Sequence, residues 1–368
     1  MFKKRQYKTL NLIEVNGKSL ISNYRFFQKL HPESKIAPVL KSNAYGHGLK
    51  LVGQFVDQNI KPPFICVDSL YEAYELKKLA KVKTKILLMG YTFPENFKVR
   101  KKLDFVVPVF DQETLKVLNR HQPGIEVHLK IDTGMNRLGI RPGQARTFAK
   151  LAKKYHKIKI NGIYTHLATA GDPKQKSLVQ KQVKTFKEVI RIFEQEGFNF
   201  AWKHISATDG AGQIFDPEFN LIRLGIGFYG VHPNKSLRPA LKLSSHLVQV
   251  KTINPGEIVS YGATFKAKKK TKIGILPLGY YDGLDRRLSN RGMVKTGNRL
   301  CPIIGRVCMN LTVIDLSPCP RAKVGQKVTV FDDKTQSPNS IANSARLIDT
   351  IPYVLLTGLS ETTKRVLG

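Results

Sequence analysis

The stretch EVHLKIDTGMNRLGIRPGQARTFAKLAKKYHKIKINGIYTH (126–166) decides how this chain is built. It opens on an apolar run, EVHLKID (126–132), and closes on another, INGIYTH (160–166). Between them GQARTFAKLAKKY (143–155) carries its apolar residues at helical spacing. Strand, helix and strand follow one another, joined by TGMNRLGIRP (133–142) and HKIK (156–159).

The same alternation runs outward in both directions. IAPVLK (36–41), FICVDS (64–69), KILLMG (85–90) and DFVVPVF (104–110) are strand candidates upstream; WKHISA (202–207) and NLIRLGI (220–226) follow downstream. SLYEAYELKKLAK (69–81) and SLVQKQVKTFKEVIRIFEQEG (177–197) are helical. Eight apolar strands alternating with helices predict an α/β barrel, the (β/α)8 TIM barrel. A doubly wound sheet is the alternative that periodicity alone leaves open.

From about residue 241 the texture changes. LKLSSHLVQVKTI (241–253), EIVSYGATFKA (257–267), KKTKIGILPLGYY (269–281), GMVKTGNRLCPIIGRVCMNLTVIDLS (292–317) and QKVTVFDD (326–333) are dense in Val, Ile, Thr and aromatics. Pro-Gly, Asp-Gly and Gly-Asn turns separate them, which predicts an all-β domain. NSIANSARLIDTIPYVLLTGL (339–359) reads as a helix and then a short strand. The predicted domains are 1–240 and 241–368, with the first ten or so residues packing on the β domain.

The 368 residues are 42% apolar, enough for a sizeable core, and no apolar run reaches membrane-spanning length. MFKKRQYKTLNLIEV (1–15) lacks the apolar core of a secretory signal, which places the protein in the cytoplasm. Cys66, Cys301, Cys308 and Cys319 have neither CxxC nor zinc-finger spacing, and fit reduced thiols. The formal charge is +34, but its lysines are scattered, as in KKLAKVKTK (77–85), without a tail or an aromatic-interleaved patch. A lysine-rich composition explains them better than a nucleic-acid partner.

VLKSNAYGHG (39–48) puts Lys41 at the end of an apolar strand, before a glycine-rich turn. Barrel active sites lie at strand C-termini, and a lysine in apolar surroundings there can form a Schiff base with an aldehyde. By position alone, a surface lysine capping a strand is the simpler reading. GIGFYG (225–230) spells GxGxxG, but it sits late in the barrel and no acidic residue follows at dinucleotide-site spacing, which rejects NAD. Glycine amides near a strand end remain suited to a phosphate.

Around Lys41 the chain resembles the alanine racemase family, a fold-type III pyridoxal phosphate family. HLKIDTGMNRLGI (128–140), GIYTHLATA (162–170), LIRLGIGFYG (221–230), VSYGATF (259–265), LGYYDG (278–283) and GRVCMN (305–310) match its motifs in the same order. The resemblance implies a barrel carrying pyridoxal 5′-phosphate, and a β domain completing the active site of the partner subunit in a homodimer. It makes Lys41 the Schiff-base lysine and one catalytic base, and Tyr261 of the other subunit the opposite base. Arg223 faces the pyridine nitrogen and His166 links it to the tyrosine. Tyr45, Thr208, Gly225, Ile226 and Tyr353 contact the phosphate. Arg137 and the Met309 amide bind the substrate carboxylate. Lys130, often carbamylated in the family, holds Arg137. Cys308 and Asn310 support the site, and Tyr280 and Arg306 stand at the entrance.

Those residue types suit racemisation. One proton leaves one face of Cα and another arrives on the opposite face, so two bases are needed. The cofactor supplies the electron sink. A guanidinium does not readily release a proton, so Arg223 should leave the pyridine nitrogen unprotonated and suppress side reactions.

Three positions depart from the family pattern: Asn310 where Asp is usual, Thr208 where Ser is common, and Gly171 where an entrance Asp is common. The expected activity is conversion between L- and D-alanine, supplying D-alanine for peptidoglycan. The alternatives are a racemase of broader preference, for serine or lysine, and a pyridoxal phosphate carrier without activity. No metal and no membrane partner are expected.

Overall fold

The computed structural model describes residues 8–99 and 101–368, which divide into two compact units. One contains Tyr24–Ser42 and Val52–Phe228; the other contains the residues up to Asn23, Asn43–Leu51 and Tyr229–Gly368. Among the described residues no helix is long and apolar enough to cross a membrane.

A first strand, β1 (Leu12–Val15), belongs to the second unit. The first unit is built on β2 (Lys35–Pro38), β3 (Ile65–Val67), β4 (Ile86–Leu88), β5 (Phe105–Val109), β6 (Glu126–Lys130), β7 (Lys159–Tyr164), β8 (Trp202–His204) and β9 (Leu221–Leu224). Strands β3 to β8 form one parallel sheet in chain order, and β2 pairs parallel with β9. Val39 bridges to Cys66 beyond the end of β2, and Leu40 N–H donates to the Cys66 carbonyl at 2.7 Å. On the other side Arg223 N–H donates to the Ser206 carbonyl at 3.1 Å, joining β9 to the end of β8. These bonds close the eight strands into the predicted barrel. Its wall buries Ile36, Ile65, Leu88, Val107, Leu129, Ile163 and Leu224.

All eight predicted barrel strands form, but the first ends sooner than expected. IAPVLK is extended only to Pro38, with the bridge at Val39, because the chain then turns left-handed. The predicted helix 69–81 is also shorter. Leu70–Tyr74 is α-helical, capped by Ser69 and Glu72, and Glu75–Leu79 widens into a π turn.

The second unit adds β10 (Leu241–His246), β11 (Gln249–Ile253), β12 (Ile258–Val259), β13 (Phe265–Lys266), β14 (Thr271–Leu276), β15 (Met293–Thr296), β16 (Arg299–Pro302), β17 (Thr312–Asp315), β18 (Lys327–Phe331) and β19 (Lys364–Leu367). Its main sheet runs β16-β15-β18-β10-β1-β19, a second runs β11-β14-β17, and β12 pairs with β13. β1 lies inside the main sheet, antiparallel to β10 and parallel to β19. The packing expected of the first ten residues falls mostly on residues 1–7, outside those described. The short strand expected after the helix at Ile341–Leu347 is instead a second helix, Pro352–Thr357. Pro352 occupies its first turn, where a fixed φ and a missing N–H favour a helix start, and Leu355 and Leu356 are buried.

Candidate functional site

Lys41 opens a left-handed turn. Ser42, Asn43, Ala44 and Tyr45 have φ of 55°, 54°, 53° and 51°. Each such residue costs about 1–2 kcal/mol relative to right-handed backbone, so the turn needs support. Asn43 Oδ1 accepts from Leu49 N–H at 2.7 Å, and its carbonyl accepts from Gly48 N–H at 2.9 Å. His47 Nδ1 lies 2.9 Å from the Tyr45 carbonyl and 3.1 Å from that of Ala44. Gly46 has φ of 77°, and a Cβ there would sit 1.9 Å from the Leu356 carbonyl oxygen, so only glycine fits.

At the same end of the barrel wall stand Lys130, ending β6, and Arg223, within β9. Arg223 is 3% exposed and donates through one terminal nitrogen to the carbonyls of Thr165 (2.8 Å) and Ile205 (3.1 Å). That nitrogen also lies 3.4 Å from His166 Nδ1. Its other terminal nitrogen lies 2.7 Å from His204 Nδ1. A guanidinium only donates, so His204 Nδ1 accepts, while His166 Nδ1 shares an N–H already given to a carbonyl. His204 must then carry its proton on Nε2, which faces His128 Nδ1 at 3.0 Å. Burial, with Arg223 next in importance, pushes His166 down to about 3 and holds His204 well below the usual histidine range. Both rings are neutral.

Lys130 is buried, and its ammonium stands 5.6 Å from the centre of the Tyr164 ring. Burial lowers its pKa to about 8, and Arg137, Arg223 and Lys41 press it in the same direction against the opposing charge of Asp68. Arg137 is exposed, at the end of a loop whose amides wrap Asp132: Gly134 and Asn136 N–H donate to Oδ1 at 3.0 Å each, and Arg137 N–H to Oδ2 at 3.2 Å. The cations at this end of the barrel exceed the acid facing them, as an anionic ligand requires.

Gly225 and Ile226 follow β9, and among the described residues their amide N–H groups meet no backbone carbonyl. Thr208 begins a short helical turn, and its buried hydroxyl accepts from Gly227 N–H at 3.1 Å. A Cβ on Gly227 would sit 2.7 Å from Thr208 Cγ2. These free amides beside a hydroxyl and a turn N-terminus are chemically fit for phosphate. Lysine, arginine and phosphate-type donors together fit pyridoxal 5′-phosphate.

The second unit gathers the other predicted residues. Tyr261 is 71% exposed, in a turn where Ser260, Gly262 and Ala263 all have positive φ. Ser260 Oγ donates to the Arg306 carbonyl at 2.6 Å and lies 3.1 Å from Cys308 Sγ. Tyr280 N–H donates to the Cys308 carbonyl at 3.0 Å. Tyr261, Tyr280, Cys308 and Met309 line a cleft of about 660 Å³. The Arg306 guanidinium carbon is 3.3 Å from where a Cβ on Gly262 would sit, and Asn310 is exposed beside Met309. Tyr45 and Tyr353 belong to the same unit, with ring centres 5.9 Å apart.

The family model described as "Alanine racemase, N-terminal domain" matches residues 15–233, and that described as "Alanine racemase, C-terminal domain" matches 240–367. The chain belongs to the alanine racemase family. An alanine racemase of Helicobacter pylori (strain Shi470) is 32% identical over 98% of this chain and 99% of its own length. Alanine racemase 2 of Caldanaerobacter subterraneus subsp. tengcongensis is 31% identical over 96% of this chain and 94% of its own. Among solved structures, alanine racemase of Clostridium difficile 630 superposes with a TM-score of 0.90 at 29% identity, covering 99% of this chain and 97% of that one. The Bacillus anthracis alanine racemase crystal structure with bound L-Ala-P gives 0.89 at 27% identity, covering 99% and 96%.

Beside the residues it named, the sequence reading missed His204, Asp209 and Glu72, which the structure places against Arg223, Gly171 and Ser42. His204 ends β8 as His166 follows β7, and that parallel placement was a usable signal. Asp209 fills the space beside the departure at Gly171: its Oδ2 lies 3.3 Å from where a residue-171 Cβ would be. Glu72 is announced by the spacing Ser69-Leu-Tyr-Glu72, a helix capping box.

Proposed function

We propose that this chain interconverts L- and D-alanine with pyridoxal 5′-phosphate held on Lys41, by a two-base mechanism completed by a second copy. The observation that supports this most is Arg223. A fully buried guanidinium, fixed by two carbonyls and two neutral histidines, suits the pyridine nitrogen of that cofactor. When bound, the cofactor withdraws electrons from Cα and makes its proton removable.

Each residue then has a proposed task. Lys41 anchors the cofactor aldehyde and moves a proton at one face of Cα. Tyr261 of a second copy moves a proton at the opposite face; its exposure on its own unit leaves it available to do so. Arg223 keeps its proton, so the pyridine nitrogen stays neutral and the electron sink stays moderate. His166 accepts from Arg223 through Nδ1 and offers an N–H from Nε2 toward that tyrosine. Thr208, Gly225 and Ile226 donate to the phosphate, with Tyr45 and Tyr353 as the proposed tyrosine contacts. Arg137 and the Met309 amide orient the substrate carboxylate, and Tyr280 and Arg306 guard the approach. Cys308 and Asn310 support the Met309 segment.

Lys130 is proposed to be carbamylated. An amine lowered from 10.5 to about 8 has a far larger neutral fraction near physiological pH than an ordinary lysine, and the neutral amine adds to carbon dioxide with loss of a proton. The resulting carboxylate would hold Arg137. The working form is a cytoplasmic homodimer, and D-alanine for peptidoglycan is the proposed use of the product.

The test is direct. Borohydride should trap pyridoxal phosphate on Lys41, and the purified protein should convert L-alanine to D-alanine. Absence of both sinks the reading. Tyr261→Phe should lose activity from the L side while still binding cofactor; normal turnover in both directions would exclude the second base.

A further inference from the structure

Glu72 sits at the third position of the helix Leu70–Tyr74 and does more than cap it. Its Oε2 accepts from the N–H groups of Asp68 at 2.9 Å and Ser69 at 3.3 Å, while Ser69 Oγ accepts from Glu72 N–H at 3.2 Å. Its Oε1 reaches back 30 residues to accept from Ser42 N–H at 2.6 Å. Ser42 directly follows Lys41 and is the first residue of the left-handed run, at φ 55°. One carboxylate therefore ties the peptide after Lys41 to the turn that follows β3.

We propose that Glu72 is a positioning residue for Lys41: its carboxylate holds Ser42 left-handed and so fixes the direction in which the Lys41 side chain leaves the barrel wall. The functional part of this inference rests on the reading that Lys41 carries the cofactor. Serine has no intrinsic preference for that conformation, so something outside the turn must select it. A carboxylate suits the task because both of its oxygens accept and neither donates.

That chemistry separates the positioning role from the capping role. A glutamine has one accepting oxygen and one donating nitrogen. It still completes a capping box with Ser69, but it then turns an N–H toward the Ser42 N–H. Glu72→Gln should keep the helix and release the turn, whereas Glu72→Ala should release both.

Hydrogen–deuterium exchange on the full-length protein, with pyridoxal phosphate added, reads this directly. In Glu72→Gln the peptide covering 41–47 should exchange about tenfold faster, as expected for the loss of one charge-assisted hydrogen bond, while 70–74 stays protected. The visible absorbance of lysine-bound pyridoxal phosphate should change its pH dependence, and kcat for alanine should fall about 10- to 100-fold with KM little altered. Wild-type exchange over 41–47 in Glu72→Gln overturns the proposal. So does equal loss of protection over 70–74 in both variants, which would make Glu72 a cap alone. If borohydride traps nothing on Lys41 of the wild type, the functional reading falls while the exchange data still decide what Glu72 holds.

Discussion

Arg223 and His204 form a buried pair in which a guanidinium nitrogen lies 2.7 Å from a neutral imidazole Nδ1. Among the described residues Arg223 meets carbonyls and histidines and no carboxylate. The charge is stabilised by dipoles, and the ring that accepts from it must keep its proton on the far nitrogen.

Replacing Arg223 by Lys keeps a cation but removes the planar fork. An ammonium cannot serve His204, Thr165 and Ile205 at once, so buried acceptors are left unpaired. Stability should fall by about 2–4 kcal/mol, measured as a shift in the urea midpoint. Alanine turnover should fall further than the loss of folded protein explains. A variant of native stability and native turnover would remove Arg223 from the site.

Acid should unfold this protein early. Burial, as the largest cause, lowers His47 to about 4 and His128 and His166 to about 3, against an ordinary value of 6.5. In the unfolded chain these rings take up protons as pH falls through 6.5, while the folded protein keeps them neutral. The stability they contribute is complete above 6.5 and is lost progressively toward pH 3–4, at about 1.4 kcal/mol per pH unit for each ring. Urea titrations at pH 7, 6 and 5 check this, and a flat profile would contradict it.

Gly162→Ala should be poorly tolerated. A Cβ at Gly162, in β7, would lie 2.1 Å from the His128 ring, which is fully buried. The register between β6 and β7 already shifts between Val127 and His128. Overpacking of this kind costs about 1–3 kcal/mol or more, visible as a lowered melting temperature. His128→Ala combined with Gly162→Ala should recover part of the loss that Gly162→Ala causes alone.

Lys130→Ala should act on substrate binding. Without a carboxylate formed on Lys130, Arg137 loses its proposed partner, and KM for alanine should rise about tenfold with a smaller change in kcat. Added acetate should restore part of the affinity. Mass spectrometry of native wild-type protein in bicarbonate should show one carbon dioxide on Lys130. An unchanged KM would exclude the carbamate role.

Much of the barrel was legible because its eight strands are nearly continuous apolar runs separated by helical periodicity. Strand ends were less so. Nothing in IAPVLK tells that extension stops at Pro38, since the left-handed turn depends on Glu72, Asn43 and His47 acting through hydrogen bonds. IPYVLLTGL has strand composition, yet Pro352 starts a helix there. For the site, motif order pointed to Lys41, Arg223 and Tyr261, and to His166 as a partner of Arg223, but not to His204 as its second histidine. The strand-end placement of His204 and the capping-box spacing of Glu72 were visible in the sequence, but their long-range partners, Arg223 and Ser42, depend on how distant segments fold together.

β1 lies between β10 and β19, so the first strand of the chain is held by strands made more than 200 residues later. During synthesis a ribosome releases β1 long before either neighbour exists, and its hydrogen-bonding edges must wait on both sides. The main sheet of this unit can close only near the end of translation. A nascent chain halted in the barrel region would expose β1 as a loose edge, open to chaperones and to pairing with other chains.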